Sequence, residues 1–177
     1  NLTIEAWVNL TDYSHYNSIL TKTTGDGTTN NSYELRTEQT TGKLQFLGFD
    51  TALRTITATA AVPTGAWHHV AVVINLGSSV QFYVDGTLRS TQGLPTKAAG
   101  NAAPLWIGTI PFTYFGMPFT GGLDNVRVDS QALGASSIAA MAAMKPMNSS
   151  TQPTEKIMSA TSAPSIANRE RTDRQRE

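Results

Sequence analysis

Leu2, Ile4, Ala6 and Val8 alternate with Thr3, Glu5, Trp7 and Asn9, and a period of two places the two sets on opposite faces of a strand. The same rhythm runs through Trp67–Asn75 and Val80–Val84. Shorter stretches predict further strands at Asn17–Lys22 and Ser32–Glu38, joined by the polar loop Thr23–Asn31. Leu44–Phe49 and Arg54–Ala60 form a predicted hairpin around Asp50–Leu53, and Pro63–Ala66 is a turn. Asp85-Gly86 links Val80–Val84 to Thr87–Thr91, because this dipeptide tolerates the positive φ of a tight hairpin turn. Leu105–Gly108 and Leu123–Asp129 complete the strands. One helix is predicted over Ala135–Met144, where alanine and methionine dominate and Ile138, Met141 and Ala142 share a side. Gly134 is a poor start for it, since it has no side chain to cap the first turn. Short strands with turn signals every eight to twelve residues predict an all-β sandwich.

Composition divides the chain near Met144. Residues 1–144 carry the strand pattern and the helix, and form one domain. Residues 145–177 are rich in Pro, Ser, Thr and charge, and cannot bury enough apolar surface to offset the entropy of ordering. Of 177 residues, 40% are hydrophobic, enough for a real core. Thirteen basic and thirteen acidic side chains cancel, which argues against a nucleic-acid binder, and the arginines of the last nine residues are interleaved with acids. With no cysteine, disulfides, thiolate–zinc sites and cysteine nucleophiles are all excluded. No apolar run reaches the roughly 18 residues of a membrane helix. The chain begins at Asn1 inside a strand pattern, so it reads as part of something longer.

The aliphatic faces Leu2/Ile4/Val8, Val70/Val72/Ile74 and Val80/Phe82/Val84 are assigned to the space between two sheets. The opposite faces then carry Glu5 with Trp7, Trp67 with His69, and Gln81 with Tyr83, while Trp106 stands opposite Leu105 and Ile107. Trp7, His69, Tyr83 and Trp106 are therefore the candidate ligand-binding residues: rings of this kind stack on sugars or bury a protein partner. The competing reading is a second small core covered by a loop such as Pro111–Met117. His68 and His69 point opposite ways on a regular strand and cannot share one metal ion; each is expected to find backbone or water instead. Glu34 and Glu38 flank Arg36 with no companion Asp, and Asp124 and Asp129, five apart, are expected on opposite faces. No pair suited to glycoside hydrolysis emerges, so the protein is read as a non-enzyme. Four Asn-x-Ser/Thr triplets, at Asn1, Asn9, Asn30 and Asn148, are of a kind that Thr-rich sequence produces by chance.

Thr3-Ile-Glu-Ala-Trp-Val8, Trp67-His-His-Val-Ala71, Val80-Gln-Phe-Tyr-Val-Asp-Gly86, Trp106-Ile-Gly108 and Gly122-Leu-Asp-Asn-Val-Arg-Val128 occur in that order. Together with Ala132–Ala140, the set resembles the laminin-G-like, concanavalin A-like lectin jelly-roll family over residues 1–144. The resemblance implies a two-sheet antiparallel jelly-roll sandwich with one short C-terminal helix and an extended tail. It implies a binding module for glycan or a protein partner on a cell, matrix or virion surface. The alternative is a structural assembly subunit whose open sheet edge and tail lock neighbouring chains together. Some relatives hold calcium at a sheet rim, and Asp124 matches a position that often supplies a carboxylate. Calcium is thus the cofactor the resemblance implies. Its usual companions come from a first strand, with a Phe-Asp-Gly-like motif, that the sequence does not contain. The tail or a neighbouring chain is expected to fill that strand's place.

Overall fold

The computed structural model describes residues 1–23, 32–49, 53–94, 102–110 and 117–146. The first sheet has the order β10-β1-β6-β7-β8, made of β1 (Leu2–Leu10), β6 (His68–Asn75), β7 (Ser79–Val84), β8 (Thr87–Gly93) and β10 (Gly121–Asp129). The second has the order β5-β4-β3-β2-β9, made of β2 (Asn17–Lys22), β3 (Tyr33–Thr37), β4 (Lys43–Phe49), β5 (Leu53–Ala61) and β9 (Leu105–Ile107). Every pairing of strands is antiparallel. The all-β jelly-roll reading holds.

The core lies where alternation placed it. Ile4, Ala6 and Val8 meet Val70, Val72, Ile74, Val80, Phe82 and Val84 from the first sheet, and Leu20, Leu35, Leu44, Phe46, Ile56 and Ala58 from the second. Ile4, Phe46 and Phe82 are fully buried there. Strand ends shift by a residue or more: β6 begins at His68, and Trp67 stands just before it; β8 runs on to Gly93. Such ends follow pairing partners, which local pattern does not contain.

α1 (Ala135–Ala143) lies on the outer face of the first sheet. Ile138 is its one fully buried side chain and packs with Ala71, Val73 and Tyr83. No side chain caps Gly134, and no charged residue assists either end. Tertiary packing rather than intrinsic propensity holds this helix. Gly86, at φ +71 in the β7–β8 turn, lets it come close: a Cβ there would sit 3.1 Å from Ala139 Cα and 3.1 Å from Ala142 Cβ.

One parity argument fails. Asp129 pairs with Thr3, Arg127 with Glu5, and Asp124 with Trp7, so all three β10 residues share the outer face with Thr3, Glu5 and Trp7. The register shifts between Glu5 and Trp7, and Asn125 there adopts φ +49. A bulge inserts one residue and restores Asp124 to the face of Asp129. Simple alternation has no means of anticipating it. The expectation that residues 145–177 complete a sheet lies almost wholly outside the described residues, as does the 24–31 loop.

Candidate functional site

The predicted ligand residues separate. Trp7 and His69 are register partners on the outer face of the first sheet, with rings 5.6 Å apart, edge to face. They line a pocket of about 380 Å³ beside α1. Tyr83 lies on the same face but beneath Ile138, in the small core under the helix. A second small core does exist there, formed by α1. Of the loop expected to cover it, residues 111–116 are outside the described residues. Trp106 is on the other sheet altogether, opposite Thr21, with its indole N–H donating to the Thr23 carbonyl at 3.1 Å.

His68 Nδ1 is 2.9 Å from Asp85 Oδ2, whose other oxygen accepts the His69 N–H at 3.0 Å. The histidine pair is thus split by strand geometry, as expected, but the partner of His68 is a carboxylate rather than backbone. His15 Nε2 lies 3.1 Å from the Pro118 carbonyl oxygen and 2.9 Å from Thr120 Oγ1. Asp124 Oδ1 accepts the Asn125 N–H at 2.7 Å. Calcium takes six to eight oxygens, yet among the described residues no three acidic, histidine or cysteine side chains gather to hold a metal.

A more polar arrangement occupies the outer face of the second sheet, built from residues the pattern had treated singly. Strand pairing aligns Trp106, Thr21 and Glu34 in one row, and Ser18, Arg36, Gln45 and Thr57 in the next. Arg36 is the centre. Its Nε donates to Gln45 Oε1 at 3.0 Å, and Gln45 Nε2 donates in turn to Thr57 Oγ1 at 3.2 Å. Its guanidinium carbon stands 4.1 Å over the centre of the Tyr16 ring, a cation–π contact that leaves the plane of the fork fixed. Nη1 reaches Met117 Sδ at 3.6 Å and Glu34 Oε2 at 3.9 Å.

Glu34 is 95% buried in its side chain, and Oε1 has no hydrogen-bond partner. Burial raises its pKa above the ordinary carboxylate value, with Arg36 and a hydrogen bond from Ser18 pulling the other way. A guanidinium fork held in place and a carboxyl oxygen without a partner can bind adjacent hydroxyl groups by hydrogen bonds. Tyr16 and Trp106 add aromatic surface at either side. Sequence reasoning noticed Glu34 and Arg36 only in testing for catalysis. The signal it lacked was cross-strand register, which alone brings Gln45, Thr57 and Trp106 beside them.

The family model described as "Concanavalin A-like lectin/glucanases superfamily" matches residues 1–139. Among curated proteins, no sequence match is found. Solved structures share the fold. The CBM40 of the Ruminococcus gnavus IT-sialidase superposes with a TM-score of 0.65 at 16% identity, over 80% of this chain and 82% of that one. Domain 4 of the GH43 extracellular arabinanase of Geobacillus stearothermophilus, in complex with arabinotriose, gives 0.62 at 17% identity, over 80% and 66%. A protein of Bacteroides ovatus gives 0.63 at 23% identity; the alignment covers 78% of this chain but spans only 39% of that longer protein.

Proposed function

The chain belongs to the concanavalin A-like lectin/glucanases superfamily, and from that membership we propose that it is a non-enzymatic module that binds glycan on the outer face of its second sheet. The observation that carries this reading is the buried Glu34, whose Oε1 has no partner, beside the partly buried guanidinium of Arg36, on a face where polar side chains normally find water or a partner. Glycan recognition needs planar polar groups for hydroxyls and an aromatic surface for the apolar face of the ring. Arg36, Glu34, Gln45, Tyr16 and Trp106 supply both. Solved neighbours support the class of ligand, since a CBM40 and an arabinose-oligomer-bound domain share the fold. A secreted or surface-exposed setting suits such a module. No helix among the described residues is long and apolar enough to cross a membrane.

A protein partner is the second reading, favoured by Leu105 and Ile107, which are exposed on the edge strand either side of Trp106. A glycan array with wild type, Arg36→Gln, Trp106→Ala and Trp7→Ala separates the two. Glycan binding lost in Arg36→Gln and weakened in Trp106→Ala, but kept in Trp7→Ala, is the expected result. Binding that depends on Trp7 alone moves the site to the first sheet and refutes this assignment. No binding to any glycan leaves the protein partner, for which a change in solution mass on removing residues 145–177 is the check on assembly.

A further inference from the structure

The pocket beside α1 contains a buried carboxyl group, one oxygen of which accepts no hydrogen bond. Glu5 is 96% buried in its side chain, and its Oε2 has no hydrogen-bond partner. His69 Nε2 stands 3.6 Å from Oε2 and Arg127 Nε 3.6 Å from Oε1, ion-pair distances that are long for a hydrogen bond. Arg127 is shared between acids: besides its contact with Glu5, Nη2 pairs with Asp129 at 2.7 Å and Nη1 approaches Met141 Sδ at 3.5 Å. A buried carboxyl oxygen without a donor costs free energy, so a group that brings N–H donors and positive charge into this space gains it back on binding.

The surroundings select the class of that group. Asp124, Glu5 and Asp129 lie on this face beside the guanidinium of Arg127. The walls are apolar and polarisable: Trp7 on the sheet, Met141 on the helix and Met144 at its C-terminal end. Trp is the strongest aromatic partner for a cation. A volume of about 380 Å³ admits a small molecule rather than a chain of sugars.

We infer that the pocket formed by Glu5, Trp7, His69, Arg127, Met141 and Met144 binds a small primary ammonium ion with an apolar body. The ammonium donates to the Glu5 carboxylate, and its alkyl portion lies against Trp7 and the two methionines. This site is separate from the polar face of the second sheet, and neither reading depends on the other.

The test is an NMR titration of the full chain with n-butylammonium and with n-butanol, following backbone amides and indole N–H signals. n-Butylammonium is expected to shift signals of Trp7, His69 and α1, with at least tenfold tighter binding than the alcohol. Glu5→Gln is expected to weaken it at least tenfold, while Arg127→Gln, which removes the competing cation, tightens it. Arg36→Gln, on the other sheet, leaves it unchanged. Equal response to the alcohol, absence of any shift in the pocket, or Arg127→Gln weakening the ammonium would overturn the inference. The alcohol comparison and Arg127→Gln decide the matter even where Glu5→Gln does not fold.

Discussion

Replacing Ile138 by Ala tests whether α1 is held by one side chain. The helix has nine residues, fewer than the roughly 12–15 an isolated helix needs for stability in water, and neither end has a charged or capping side chain. Ile138 is fully buried against Ala71, Val73 and Tyr83, while the main core between the sheets does not include it. Truncating a buried Ile to Ala costs about 2–5 kcal/mol. The lower end alone raises the opening constant of the helix about 30-fold, since every 1.4 kcal/mol is a factor of ten. The loss should be local, because undocking α1 exposes few core residues, whereas unfolding the sandwich exposes all of them. Native-state hydrogen exchange reads this directly. In Ile138→Ala, amides of α1 should lose about 30-fold protection or more while those of β1 and β6 keep theirs. Equal loss of protection in the helix and in β6 would show that α1 unfolds only with the whole domain, and the reasoning from its weak ends would be wrong.

Three further outcomes follow from particular residues. Glu34 has a pKa raised by burial, so the folded state keeps a proton that the unfolded chain has released; stability should therefore fall as pH climbs from the ordinary value of 4.5 through the raised one. Urea midpoints across that range should slope downward in wild type and less so in Glu34→Gln; parallel lines would remove Glu34 from the account. Gly121→Ala places a Cβ 1.9 Å from the Asn9 carbonyl oxygen at φ +136, and should break the β1–β10 pairing at a cost of several kcal/mol, against about 1 kcal/mol for Gly65→Ala, where φ is +79 and nothing lies within 4 Å. Similar urea midpoints for the two variants would refute the close approach. Gly86→Ala should loosen α1 because its Cβ meets Ala139 and Ala142 at 3.1 Å, seen as faster exchange in the helix than in β7.

Much of the scaffold was legible in local pattern. A strand buried on one face must alternate, so Val70, Val72 and Ile74 announced both their strand and the side on which the core lies. Asp85-Gly86 announced a turn for equally local reasons, and both residues do adopt positive φ. The bulge at Asn125 was not legible, since it depends on how β10 meets β1 and leaves no fixed signature in composition.

The candidate sites divide in the same way. The sequence by itself determined that Trp7 and His69 share a face, because both lie in strands with strict alternation. It also determined that the aliphatic residues of those strands lie between two sheets. Only the tertiary structure decided that α1 covers Tyr83, that Trp106 belongs to the other sheet, and that Arg36 stands among Glu34, Gln45 and Tyr16. The reason is physical: alternation is set by each strand's own backbone, whereas neighbours across strands are set by register and by the free energy of packing residues far apart in the chain.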